Sequence, residues 1–265
     1  MSEIPTHDIL KHDFNWSIPV ETVPLPSKGL VYNPDSRLYK VQTLDIKAMT
    51  AHEEDILSSA ALIKKGETIN TLIKSCVQDK SINVGEMLVG DRNALMISIR
   101  VTGYGSEYKT SFNCPHCSHL NKASVDLSNL PIKFLDLKPT KTGENSFEYE
   151  LPVTKKKVLF KFMSVSDEKE LTASREAMTK HFDLEVENNV TANLEKQIIA
   201  IDGITDKNKI KHFVKYMPAF DSRSLRKYVK ENEPGIKMQY DLVCSECSGA
   251  SSVLVQMSRE FFWPS

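Results

Sequence analysis

Four of the chain's five cysteines stand in two Cys-x-x-Cys pairs, Cys114-Pro115-His116-Cys117 and Cys244-Ser245-Glu246-Cys247. Two thiolates separated by two residues can both reach one ion from a single tight turn. Two such turns complete the tetrahedral four-sulfur shell that zinc favours. Residues 118–243 lie between the pairs, so a shared ion would clasp distant parts of the chain. A site closed by four thiolates leaves no position for water, which points to one structural Zn2+ per chain rather than a catalytic one. A redox dithiol and an iron–sulfur centre use the same residue type. A redox pair, however, opens a helix in a βαβ context, and strand patterns flank both pairs here. His116 and His119 could substitute as ligands, but beside four cysteines they read as exposed turn residues. Cys76 sits in the apolar stretch Leu72-Ile73-Lys74-Ser75-Cys76-Val77 and reads as buried filler.

The elements that must carry these cysteines are a repeat. The stretch GSEYKTSFNCPHCSHLNKASVDLS from Gly105 aligns with GIKMQYDLVCSECSGASSVLVQMS from Gly235 at an offset of 130 residues. The glycine, both cysteines, the serine after the second cysteine and the closing serine coincide. Alternate positions are apolar or strand-favouring before each pair (Tyr108, Thr110, Phe112; Met238, Tyr240, Leu242) and after it (Ala123, Val125, Leu127; Val253, Val255, Met257). Period-two alternation on both sides of a tight turn specifies a β-hairpin. Each unit is expected to be a hairpin with a metal knuckle at its tip. The expected fold is α+β, with helical segments packed around a split four-cysteine zinc ribbon made of two repeated β-hairpin knuckles.

Around the repeat the sequence divides further. Residues 1–26, with Phe14, Trp16 and Pro19, Pro24 and Pro26, read as an extended N-terminal arm. Residues 27–104 read as mainly helical, after a rigid glycine turn in Leu25–Pro34 and a strand within Arg37–Ile46. Thr50-Ala51-His52-Glu53 fits a capping box. The helix after it would bury Ile56, Leu57, Ala60 and Ile63 and stop at Gly66. Further helices are expected over Thr68–Val77 and from Asp91 to Gly103. Residues 105–130 and 235–260 form the split ribbon. Between them, 131–234 is an insert holding a β-hairpin over Phe147–Phe162. A helical region follows from Ser166 to Tyr228, with breaks near Asp183, Gly203 and Pro218. Residues 261–265, Phe-Phe-Trp-Pro-Ser, form an aromatic tail.

With 265 residues, 40% of them hydrophobic and 26% charged, the chain has enough material for a core and reads as an ordinary soluble protein. Lys plus Arg is 34 and Asp plus Glu is 35, so no global positive field holds a polyanion. Residues 1–20 lack a basic start followed by an apolar run, and no stretch is apolar enough to span a membrane. The expectation is a cytosolic protein, where reduced thiols bind metal rather than pair as disulfides. Lys207–Lys230 is locally basic, with Lys207, Lys209, Lys211, Lys215, Arg223, Arg226, Lys227 and Lys230 against Asp206 and Asp221. These residues read as the solvated face of amphipathic helices, or as a surface for an acidic protein or nucleic acid. Candidate partner-binding residues are Arg223, Arg226 and Lys227, with Trp16 in the arm and Phe261, Phe262 and Trp263 in the tail. The tail aromatics either fold back onto the ribbon or anchor in a partner. No phosphate-cradling glycine loop, nucleophile-elbow serine or His-x-x-x-His motif is present, so no enzyme is expected.

Four motifs follow one another over roughly residues 22–130: Leu25-Pro26-Ser27-Lys28-Gly29-Leu30, Met49-Thr50-Ala51-His52-Glu53-Glu54-Asp55-Ile56-Leu57, Val89-Gly90-Asp91-Arg92-Asn93-Ala94-Leu95 and Thr102-Gly103-Tyr104-Gly105-Ser106-Glu107-Tyr108, leading into the first Cys-x-x-Cys. The series resembles the T-even-type contractile-tail bacteriophage baseplate protein family. The resemblance implies a non-enzymatic hub component or hub assembly factor whose partners are other phage tail proteins. It places the protein in the host cytoplasm during assembly, or in the tail baseplate of the virion. A zinc-ribbon nucleic-acid-binding regulator is the reading from another class.

Overall fold

The computed structural model describes residues 16–181, 189–255 and 261–262. Helices are mixed with small antiparallel sheets, so the class is α+β as expected. The first sheet pairs β1 (Val20–Pro24) with β2 (Thr43–Lys47), Val23 opposite Leu44. Burial of Val23, Leu25, Leu44 and Ile46 makes this pair part of the core. The end of the stretch read as an extended arm is therefore a paired strand, with Val23 opposite Leu44 and the Leu25 amide donating to the Gln42 carbonyl at 2.8 Å. The expected strand over 37–46 is also shorter, beginning only at Thr43. The chain between β1 and β2 turns at Gly29, with φ +69°; a Cβ there would stand 2.4 Å from the Val41 nitrogen.

Helix α1 (Ala51–Ser58) starts with the glutamate half of the capping box, the Thr50 amide donating to Glu53 Oε2 at 3.0 Å. The helix does not continue to Gly66 unbroken. Ser59 ends α1 through its amide on the Ile56 carbonyl, and its hydroxyl begins α2 (Ala60–Lys65) by accepting from the Leu62 amide. After the break α2 buries none of its residues, so Ala60 and Ile63 are exposed instead of continuing the apolar face of Ile56 and Leu57. Gly66, at φ 66°, closes α2. Helix α3 (Thr68–Cys76) buries Leu72, Ile73 and Cys76. Burial pushes the Cys76 thiol up to about 12, so it is inert filler.

The centre of the molecule is α4 (Val89–Tyr104), which buries Gly90, Asp91, Ala94, Leu95, Met96, Ile97, Ile99 and Arg100. Residues on nearly every side of the helix face other elements. Asp91 accepts from the Ser27 amide at 2.8 Å, the Ser27 hydroxyl at 2.5 Å and the Tyr32 hydroxyl. The Tyr32 oxygen in turn accepts from the Leu88 amide at 2.9 Å. These bonds hold the segment after β1 against the start of α4. Among the described residues no cation pairs with Asp91, and burial raises its pKa.

After α4 come the hairpin β3 (Glu107–Asn113) and β4 (Leu120–Asp126), then the short β5 (Ile132–Lys133). Strands β6 (Phe147–Glu150) and β7 (Lys157–Phe160) form the expected hairpin. Helices α5 (Val165–His181) and α6 (Asn189–Gln197) follow, and the break expected near Asp183 lies outside the described residues. Within the region read as helical, Ile198–Ile201 is β8, the third strand of the β6–β7 sheet. Branched apolar residues suit an edge of that sheet, where Ile198, Ala200 and Ile201 are buried. Helices α7 (Lys207–Tyr216) and α8 (Ala219–Asn232) close the insert. Asp221 at the start of α8 accepts from the Val153 and Thr154 amides at 2.7 and 3.0 Å, tying α8 to the β6–β7 turn.

Strand β9 (Gly235–Ile236) then pairs antiparallel with β5, Ile132 opposite Ile236. This pair is the neck of the insert and brings the two repeat units side by side. Gly90 of α4 packs against the same neck, so closely that a Cβ would stand 1.9 Å from the Pro234 carbonyl oxygen. The second unit is β10 (Gln239–Val243) with β11 (Ala250–Leu254).

Candidate metal centre

Both knuckles have the same backbone. In the first, the Cys114 amide donates to the His119 carbonyl at 2.9 Å and the Ser118 amide to the Cys114 carbonyl at 2.8 Å. In the second, the Cys244 amide donates to Gly249 and the Ser248 amide to Cys244, each at 3.0 Å. The residue after the second cysteine is left-handed in both, Ser118 at φ 60° and Ser248 at φ 55°. The coincident serines of the repeat therefore mark a geometric requirement of the turn. The inward faces of the hairpins meet through Phe112 and Tyr240, whose rings stack at 5.6 Å and 9°.

The tips bring the cysteines together. One ligand atom from each of Cys114, Cys117, Cys244 and Cys247 lies within 4.8 Å of all the others. Across the two hairpins, Cys114 Sγ is 3.7 Å from Cys247 Sγ, and Cys117 Sγ is 3.6 Å from Cys244 Sγ. Sulfurs about 2.3 Å from a central zinc ion stand about 3.8 Å apart at the corners of a tetrahedron. A disulfide needs roughly 2.05 Å, and all five cysteines are free. The donor set and its spacing fit a metal ion held between the two hairpins.

The electrostatics point the same way. Backbone N–H groups of Cys247 and Glu246, together with the Asn121 amide, hold the Cys244 thiol down at about 6 against desolvation. A hydrogen bond at His119 favours the Cys117 thiolate, but desolvation and the three neighbouring sulfurs push that thiol up to about 12. Four sulfurs this close cannot all carry charge without a cation among them.

Two further residues complete the centre. Asn121, buried at an inward position of β4, bridges the knuckles. Its Nδ2 donates to the His119 carbonyl at 3.0 Å and to Cys244 Sγ at 3.5 Å. Its Oδ1 accepts from the Ser245 amide and hydroxyl at 2.9 and 3.1 Å. Such bonds orient a ligand sulfur and tune its charge. The signal in the sequence is a polar residue at a position the alternation assigns inward. Gly249 is the other, since a Cβ there would stand 2.8 Å from the His116 ring and 3.3 Å from Cys247 Sγ.

The candidate contact residues fall in three places. Trp16 is exposed, as are Arg223, Arg226 and Lys227 on α8. Phe261 and Phe262 are buried and face inward rather than toward a partner. Phe261 meets the Tyr108 ring edge-on at 5.3 Å, and its carbonyl accepts from Arg100 Nε at 2.5 Å. Arg100 also donates to the Gly105 carbonyl at 2.8 Å, so the tail is bonded to the base of the first hairpin. Trp263 lies outside the described residues.

No helix among the described residues is long and apolar enough to cross a membrane. No curated protein and no solved structure matches the chain. The family model described as T4 bacteriophage base plate protein matches residues 22–263, from β1 through both cysteine pairs to the tail. That span carries with it a structural or assembly role in the baseplate and contact with other tail proteins. On this match, the chain belongs to the T4 bacteriophage base plate protein family.

Proposed function

We propose that this baseplate protein is a non-enzymatic assembly factor for the central hub, acting by protein binding. The observation that carries the reading is the family match over residues 22–263, joined to a site built for holding shape. Cys114, Cys117, Cys244 and Cys247 would hold a zinc ion, which supplies a rigid tetrahedral link between the hairpins and leaves no open position for chemistry. Asn121 sets the orientation of Cys244, and the β5–β9 neck sets the separation of the two knuckles. The paired hairpins then form a split zinc ribbon on which α4 and the insert are mounted. Contacts to hub proteins come from exposed surfaces, Trp16 and the basic helices of the insert, with the protein in the host cytoplasm during assembly.

Quantitative mass spectrometry of purified mature virions tests the role. An assembly factor is absent or far below one copy per hub position. Stoichiometric presence would instead make the protein a permanent structural subunit of the hub.

A further inference from the structure

Helices α7 and α8 carry the largest charge imbalance in the molecule. Eight Lys and Arg side chains between residues 207 and 230 are all exposed. The one carboxylate in that stretch, Asp221, is buried and accepts from the β6–β7 turn. With Glu231 near the end of α8, the two helices together carry +6 in a chain of net charge −1, which leaves −7 on everything else. Among the described residues only Lys227 of the eight has a carboxylate partner, Glu231 at 3.7 Å on the same helix. Like charge held together without compensation is self-repelling, and a partner of opposite sign relieves it.

A solvated helical face accounts for lysines, but not for what stands among them. Tyr216, the last residue of α7, and Phe220, the second of α8, are 67% and 61% exposed, on either side of the Met217-Pro218 turn. Lys215 Nζ lies 5.5 Å from the Tyr216 ring centroid, and the His212 ring is 4.9 Å from it, centroid to centroid. On α8, Phe220, Arg223 and Lys227 recur at helical spacing and share one outward face. Aromatic rings and arginine together are the residues that interfaces concentrate, and rings left in water are costly unless a partner covers them.

We infer that the α7–α8 corner is the docking surface for an acidic polypeptide segment carrying an aromatic or branched aliphatic side chain. That side chain seats on Tyr216 and Phe220, and its flanking carboxylates meet Lys215, Arg223 and Lys227. The inference rests on the baseplate reading and names the chemistry of the partner. The charge distribution favours a short acidic segment over nucleic acid: a segment can lie within the positive patch, whereas a long polyanion must also cross a surface of opposite preference.

The test is an array of synthetic peptides tiling all tail proteins encoded by the same phage genome, probed with the fluorescently labelled full-length protein. Retained peptides should be net negative and contain an aromatic or branched residue. Arg223→Glu with Lys227→Glu, and separately Phe220→Ser, should weaken binding at least tenfold, while Lys227→Arg keeps it. All these positions are exposed, and an unchanged melting curve verifies that each variant is folded. Retained peptides with no acidic bias, unaltered binding by the variants, or no retained peptide at low salt would overturn the inference. So would tighter binding of a 20-nucleotide oligothymidylate lost in the same variants, which would assign the surface to nucleic acid. Co-purification with intact hub proteins separates the two readings. If the charge-reversed protein still joins them, the hub role stands and the docking surface falls. Array binding without any hub co-purification would do the reverse.

Discussion

Glu53 illustrates how much one side chain can carry in this fold. It is fully buried at the start of α1, where Lys47 Nζ lies 2.7 Å away and the Ser75 hydroxyl donates at 2.5 Å. Burial alone would raise its pKa, but Lys47, Ser75 and Thr50 more than offset that and hold the carboxyl at about 2, below the ordinary 4.5. Because the folded value lies below the unfolded one, the stabilisation is complete above about pH 4.5 and disappears as pH falls toward 2. The linked free energy is of order 3 kcal/mol. Thermal melts should therefore drop steeply between pH 4.5 and pH 2.5 in the wild-type protein, and Glu53→Gln should flatten that window. Equal slopes in the two proteins would show that another group controls acid unfolding. The Thr50–Glu53 capping relation is legible in the sequence because it is local. Lys47 on β2 and Ser75 on α3 are not, since only the tertiary fold brings them to the same carboxylate. The metal centre divides in the same way. Its four cysteines announce themselves by spacing, whereas Asn121 matters only because its neighbour Ser245 comes from the other hairpin.

At the scale of elements, the motifs shared with the baseplate family acquire physical reasons. Ser27 and Asp91 belong to two motifs far apart in sequence and are hydrogen-bond partners in the structure. Gly29 and Gly90 permit backbone approaches that no side chain would allow. Gly90 is the more consequential, because it lets α4 press against the neck where the insert leaves and returns. Gly90→Ala should force α4 away from Pro234 and destabilise the protein by about 3 kcal/mol or more, the range of overpacking in a site that cannot yield. Chemical denaturation checks this, and a loss under 1 kcal/mol would mean that the neck gives way easily. The hairpins were predictable because alternation, turn residues and the repeat agreed. Strand β8 was not: Ile198-Ile199-Ala200-Ile201 follows α6 directly, with no glycine or proline between them. A short apolar run of that kind fits a helix or a strand until the β7 edge is known. The break at Ser59 was hidden for a related reason, since one serine both ends α1 and begins α2.

The whole molecule is organised around returning the chain to its starting point. A first repeat unit is laid down after α4, more than a hundred residues of insert follow, and the second unit comes back beside the first. Antiparallel pairing of β5 with β9 aligns the return, and the four cysteines cluster at the hairpin tips. Phe261 and Phe262 are packed inward, and Arg100 is bonded to the Phe261 carbonyl. Sequence alone left those aromatics undecided, because three adjacent rings suit a core and an interface equally well. The basic insert helices remain exposed on the assembled frame, where they can reach another protein. In this account a metal ion holds the frame, and binding surfaces do the work on it. Inductively coupled plasma analysis of the full-length protein, purified without chelator alongside Cys244→Ser, tests that claim most directly. The account predicts about one zinc per wild-type chain and none in the variant, which should also melt at lower temperature. A wild-type protein without zinc, or a variant that retains it, would contradict the four-cysteine clasp.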